Sequence, residues 1–99
     1  MDFRIIKSPS EGTKDILKRR MGTSSKLDIS KVGAIGLVQG KLIEMIYAAD
    51  IAEKAVGVTV EDIKGSCPQH MILLAIFGDT ASVEAAINEI KLKMKEGLS

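Results

Sequence analysis

Cys67 and His70 are the residues of this chain with the richest chemistry, and cysteine and histidine each occur once in 99 residues. A thiolate and an imidazole three residues apart can bite one zinc ion, with a second chain supplying the other two ligands. The same pair has the types of a thiol nucleophile and its base. No third orienting group and no substrate pocket is legible beside it, so catalysis is disfavoured and His70 reads first as the residue leading into the next strand. One cysteine excludes an intrachain disulfide and a multi-cysteine zinc knuckle. Its setting, Lys64-Gly65-Ser66-Cys67-Pro68-Gln69, is a polar loop. Ser66, Pro68 and Gln69 argue against an inert buried thiol and for an accessible one with a metal or redox role.

Other patterns carry less. Gly33, Gly36 and Gly40 precede a helix without the spacing of a dinucleotide fingerprint or a phosphate-binding Gly-Lys-Ser/Thr ending, so they read as strand and turn glycines. Lys14, Lys18, Arg19 and Arg20, with Lys91, Lys93 and Lys95, place cations at helix ends, where they complement the macrodipole in solvent.

Composition bounds the rest. Apolar residues at 45% and charged residues at 27% make one ordinary globular domain over residues 1–99. A formal charge of +1 and 3% aromatics give neither the field nor the stacking platforms of a nucleic-acid binder. The longest apolar run, Met71 to Phe77, is far short of a membrane span, and the N-terminus lacks an apolar signal segment, so a cytoplasmic protein with no membrane partner is expected.

The elements that must position the loop follow from periodicity. Asp2 to Lys7 reads as a strand. Ser8, Pro9 and Glu11 have the types of an N-cap, a first-turn proline and a capping box for a helix to about Arg20, with Ile16 and Leu17 inward and Lys14 in water. Val32 to Gln39 is a glycine-bearing strand. Lys41 to Val56 carries Leu42, Met45, Ile46, Ala49, Ala52 and Val56 at helical spacing, closed by Gly57. Val58 to Ile63 alternates as a half-buried strand, and Met71 to Phe77 is apolar on both faces. Asp79 is a plausible cap for a last helix with Val83, Ala86, Ile87, Ile90 and Met94 inward. Moving the first strand to the end of this order gives βαββαβ. The expected fold is therefore α+β, a circularly permuted ferredoxin-like domain: a four-stranded antiparallel sheet with helices packed on it. Residues 1–22 form the displaced strand and helix, and 32–96 the remaining core.

Ala34-Ile35-Gly36-Leu37-Val38, Ala48-Ala49-Asp50-Ile51-Ala52-Glu53-Lys54-Ala55 and Phe77-Gly78-Asp79-Thr80-Ala81-Ser82-Val83-Glu84-Ala85-Ala86 together resemble the bacterial microcompartment shell (BMC) domain, in its order and spacing. The resemblance covers about two thirds of the chain, residues 33 to 95. Arg4-Ile5-Ile6-Lys7-Ser8-Pro9-Ser10 looks like the strand that ends ordinary members, displaced to the front. The Gly65-Ser66-Cys67-Pro68 loop looks most like the permuted shell proteins found with glycyl-radical enzymes.

The resemblance implies a flat homohexamer that tiles with other shell proteins around encapsulated enzymes. It puts Lys54 at the hexamer edge, where a lysine stem can lie along a partner and its ammonium reach carbonyl acceptors. It puts Lys64, Gly65, Ser66, Cys67, Pro68 and Gln69 at a pore on the sixfold axis, where small side chains leave room and backbone N–H groups can meet polar metabolites. Symmetry would then make one thiol a ring of six. In the permuted subclass such a ring implies an iron–sulfur cluster, one per hexamer, shared between chains through Cys67. Two rivals stand beside this reading: a ferredoxin-like regulatory module that binds a small ligand, and a thiol enzyme using Cys67 and His70.

Overall fold

A computed structural model of the chain describes residues 1–21, 27–63 and 71–96. In chain order these form β1 (Asp2–Lys7), α1 (Glu11–Arg20), a short 3-10 turn (Ile29–Lys31), β2 (Ala34–Lys41), α2 (Leu42–Glu53), β3 (Val58–Ile63), β4 (Met71–Gly78) and α3 (Thr80–Glu96). The strands make one sheet in the order β1-β2-β4-β3, with every neighbouring pair antiparallel. This is the expected mixed α and β architecture. Counted from β2 the elements run βαββα, and β1 lies on the edge beside β2.

The two central strands are apolar on both faces because both faces are covered. On one face Val38, Leu74 and Ile76 pack with Met45 and Ile51 of α2 and with Val83, Ile87 and Ile90 of α3. On the other, Ile35, Ala75 and Phe77 pack with Leu17 of α1 and Ile29. Successive residues of β2 and β4 thus alternate between two cores, as the period of a strand requires. Burying one large side chain such as Phe77 contributes about 1.5–3 kcal/mol. At Gly36 a Cβ would stand 3.0 Å from Val83 Cγ1 and Ile87 Cδ1, so α3 crosses β2 where there is no side chain to hold it off. The edge strand β1 is tied to α3 by the Lys7–Glu84 ion pair at 3.3 Å and by Lys91, whose Nζ lies 5.2 Å from the Phe3 ring centroid.

Several local expectations are corrected. Ser10, not Ser8, caps α1, its side chain accepting from the Thr13 N–H. Ser8 instead extends β1, its N–H donating to the Gly33 carbonyl at 3.0 Å with φ at +50°, so the helix starts after Pro9 and Glu11 occupies its first position rather than its third. Lys14 is buried rather than solvated: α1 packs through Lys14, Leu17 and the following Met21, and the Lys14 ammonium donates to the Ser30 carbonyl at 3.1 Å. Ile16, off that face, is half exposed. Strand β2 runs Ala34–Lys41, two residues later than expected, because the 3-10 turn occupies Ile29–Lys31.

Helix α2 buries Met45, Ala48, Ile51 and Ala52, whereas Leu42, Ile46 and Val56 are exposed. The inward stripe is therefore rotated from the one that spacing suggested. The helix also stops at Glu53, and the Ala55 N–H closes the following turn on the Ala52 carbonyl.

Candidate functional site

The loop 64–69, with Cys67, and His70 lie outside the described residues. The residues that anchor the loop are described. It leaves β3 at Ile63, which is buried and pairs with Leu73, and enters β4 at Met71, which pairs with Lys41. The loop thus joins the end of the sheet at which β2 finishes and α2 begins. There the Lys41 N–H donates to Glu44 Oε1 at 3.0 Å, satisfying one orphan donor of the first turn and fixing the direction in which α2 departs.

Lys54 lies at the far end of α2, as its C-terminal cap residue, about 18 Å of helix away. Its ammonium donates to Asp50 Oδ2 at 2.8 Å, one turn back. That hydrogen bond, reinforced by the Asp50 charge, raises the lysine above its ordinary value. Both side chains are exposed, so the pair orients the ammonium and adds little to stability. The turn beyond Lys54 is fixed by Gly57. Its φ is +83°, and a Cβ there would stand 2.8 Å from Ser82 Oγ, so only glycine lets this turn rest against the start of α3. Across the same junction Asp79 accepts from the Ser82 N–H at 2.7 Å and caps α3, which holds its carboxyl below the usual range. An open groove of about 790 Å³ follows the seam of α2 and α3 past Tyr47, Asp50, Lys54, Ser82 and Glu89.

The structure therefore places the two sequence-selected features, the anchors of the loop and the lysine, at opposite ends of α2 and does not bring them together. Among the described residues no group of three or more His, Cys, Asp or Glu side chains could hold a metal ion, and no helix is long and apolar enough to cross a membrane.

One surface escaped the reading by spacing. Leu42, Ile43 and Ile46 stand exposed on the first turns of α2, opposite its buried stripe. The signal was present: apolar residues at 42, 43, 45 and 46 are more than one amphipathic face can hold.

The arrangement has known counterparts. A family model for the BMC domain matches residues 34–98. The ligand-free structure of the GrpU microcompartment shell protein from Clostridiales bacterium 1_7_47FAA is 60% identical over 98% of this chain and 95% of its own, with a TM-score of 0.75. The ligand-free GrpU microcompartment shell protein from Pectobacterium wasabiae is 37% identical over 91% of this chain and 99% of its own, with a TM-score of 0.73. No curated protein sequence matches. With the family model covering most of the chain from the first residue of β2 onward, and a relative of this identity along nearly its whole length, the chain belongs to the BMC-domain family of microcompartment shell proteins, which are structural proteins and not enzymes.

Proposed function

We propose that this shell subunit closes into a cyclic homohexamer in which the loop 64–69 faces the sixfold axis and Lys54 faces the rim, where the hexamer meets other shell proteins around encapsulated enzymes. The observation that carries this reading is the placement of Met71 opposite Lys41, which sets the loop at one end of the sheet while α2 takes Lys54 to the other. A plate with an axis and a rim needs its two working features separated in this way. The ordered ammonium of Lys54, exposed and held charged by Asp50, suits an edge contact with carbonyl acceptors of a neighbour.

The order of elements is that of a circular permutation. The family match begins at Ala34, the first residue of β2, and leaves β1 and α1 ahead of it. In βαββαβ order, the edge beside the first strand belongs to the last one, and here β1 fills it. Together with the Cys67-Pro68 loop this favours the permuted subclass associated with glycyl-radical enzymes.

Cys67 would hold an iron–sulfur cluster at the axis. One thiol per chain does not satisfy a cluster that takes four thiolates, but a ring of six copies does, with two to spare. The described residues offer no competing group of ligands. Such a cluster supplies one-electron transfer, and the chain contributes its thiol and a loop whose Gly65 and Ser66 leave room at the axis. The chemistry is therefore passage of electrons, or of small metabolites, through the wall of a container.

Native mass spectrometry and anaerobic purification test the two parts. The wild-type chain is expected to run as six subunits and, after anaerobic reconstitution, to carry iron and sulfide with visible absorption and a paramagnetic signal that Cys67→Ser removes. A wild-type chain that is monomeric or dimeric overturns the ring. A hexamer that stays colourless and iron-free overturns the cluster and leaves the loop as a path for metabolites.

A further inference from the structure

Among the described residues one charged side chain is buried, that of Lys14, and the assembly proposed above makes no use of it. A lysine is taken out of water only where its head finds a partner. The Lys14 ammonium donates to the Ser30 carbonyl at 3.1 Å and lies 3.7 Å from Glu11 Oε1, a carboxylate that is itself exposed. Ser30 is held in place for this contact. Its N–H and its hydroxyl both donate to Asp28 Oδ1, at 3.1 and 2.6 Å, so the 3-10 turn presents a braced carbonyl to the helix.

Apart from that bond, α1 is fastened lightly. Of its ten residues only Lys14 and Leu17 are buried, and Leu17, with Met21 partly buried beyond it, meets the core of Ile35, Ala75 and Phe77. Glu11, Asp15, Lys18, Arg19 and Arg20 all face solvent. By contrast α3 sets Val83, Ala86, Ile87 and Ile90, each at most 1% exposed, against the other face of the sheet. A helix shorter than about 12–15 residues does not persist in water by itself, so α1 is ordered only while it is docked.

The helix is also separable at its base. Strands β1 and β2 pair as far as Lys7 with Ala34, and the Ser8 N–H then donates to the Gly33 carbonyl at 3.0 Å, closing the ladder before the chain departs. Ser8 has a φ of +50°, in the left-handed region, so the chain turns out of the sheet at that residue. The register of the sheet therefore does not depend on α1. Few buried apolar contacts on one element, beside a densely packed remainder, are the mark of a unit that opens below the global unfolding free energy.

We infer that α1 is a lid on the sheet, hinged at Ser8 and latched by the Lys14 ammonium on the Ser30 carbonyl, and that it lifts while the sheet and the α2–α3 face stay folded, uncovering Ala75 and its apolar neighbours Ile35 and Phe77. The two faces of the sheet then differ in permanence. One is a fixed core, and the other is an apolar surface kept covered by a single charged contact and one leucine. The inference concerns the single chain and does not depend on the ring.

Thiol labelling of the full-length chain tests it. In a Cys67→Ser background, Ala75→Cys places a thiol beneath the lid and Ala86→Cys places one in the α2–α3 core, both at positions with no exposure in the closed chain. Iodoacetamide is expected to modify Ala75→Cys at least tenfold faster than Ala86→Cys. Adding Lys14→Met, which keeps the stem and removes the latch, should speed Ala75→Cys by about tenfold more and leave Ala86→Cys unchanged. Lys18→Met, which removes an exposed lysine from the same helix, should change neither. Equal labelling at the two positions overturns the lid, because α1 then lifts only when the whole chain unfolds. A Lys14→Met effect that is absent, or equal at both positions, overturns the latch. Hydrogen exchange of the unsubstituted chain gives an independent reading: amides of residues 11–21 protected as strongly as those of residues 71–78 would overturn the lid even if a cysteine variant failed to fold.

Discussion

Lys54 Nζ lies 2.8 Å from Asp50 Oδ2, and both residues stand on the same charged ridge of α2, at the end remote from the anchors of the loop. The pair is exposed, so its value is orientation: Asp50 presents the ammonium in one place, where a free lysine would sample many.

Lys54→Ala is therefore expected to leave the thermal midpoint and the hexamer unchanged while abolishing extended sheets seen by electron microscopy at high protein concentration. Asp50→Ala, which frees the ammonium without removing it, should weaken sheets less. Unchanged sheets in Lys54→Ala would remove the lysine from the edge.

Gly57→Ala tests the junction that carries Lys54. A side chain at a φ of +83° costs about 1–2 kcal/mol in backbone strain alone. The contact with Ser82 Oγ at 2.8 Å adds to it. Denaturant titration should show the loss, and the double variant with Ser82→Gly should recover the steric part only. A Gly57→Ala chain as stable as wild type would mean that this turn relaxes freely.

Asp79 gives the start of α3 a pH dependence of known sign. Hydrogen bonds from Ser82 lower its carboxyl below the ordinary aspartate value, so the folded chain keeps it ionised more readily than the unfolded chain does. Its stabilisation is present above the unfolded value and disappears as pH falls through the lower, folded one. Unfolding midpoints measured between pH 6 and pH 2 should fall at the acid end, roughly below pH 4, and Asp79→Ala should be lower at neutral pH and flatter in that range. A parallel profile for the variant would assign the acid loss to other carboxylates.

Phe77 is buried in the core beneath α1 and pairs in register with Ile35. Phe77→Ala should destabilise the fold by about 3–5 kcal/mol in chemical denaturation. A much smaller loss would show that α1 and the 3-10 turn collapse into the space.

The permuted reading makes a covalent prediction. Met1 and Lys95 line the same groove, so the start of β1 and the end of α3 are neighbours. A chain joined there by a short glycine–serine linker and opened within 22–26 should keep the native mass and circular dichroism of the wild type. Failure of the rejoined chain to fold would show that β1 must lead, not follow, the rest of the sheet.

Much of the fold was legible in sequence. β1 and β3 run between the expected residues, β4 begins at Met71, and α3 buries Val83, Ala86, Ile87 and Ile90 at their helical spacing. Two helices were read with the inward face partly misplaced: Leu17, Met45 and Ala52 are buried as expected, whereas Ile16, Leu42, Ile46 and Val56 are exposed. Lys14 is as soluble a residue as any, yet its stem is buried because Ser30 offers a carbonyl to its head. On α2, Ile46 and Ala48 both have residue types suited to a core, and only the position of the sheet selected Ala48. Of the candidate site, the identity of Lys54 and of the loop came from their motifs, whereas the Asp50 partner and the turn against Ser82 depend on coordinates.

By itself the sequence determined the kinds and order of the elements and one thiol in a polar loop, because periodicity, caps and turn residues act over a few positions along the chain. Only the tertiary structure decided which apolar face of α2 is buried, and that the loop anchors and Lys54 stand at opposite ends of it. Those choices depend on which residues of distant strands and helices meet, and pairing across a sheet is a relation between segments that no local pattern encodes.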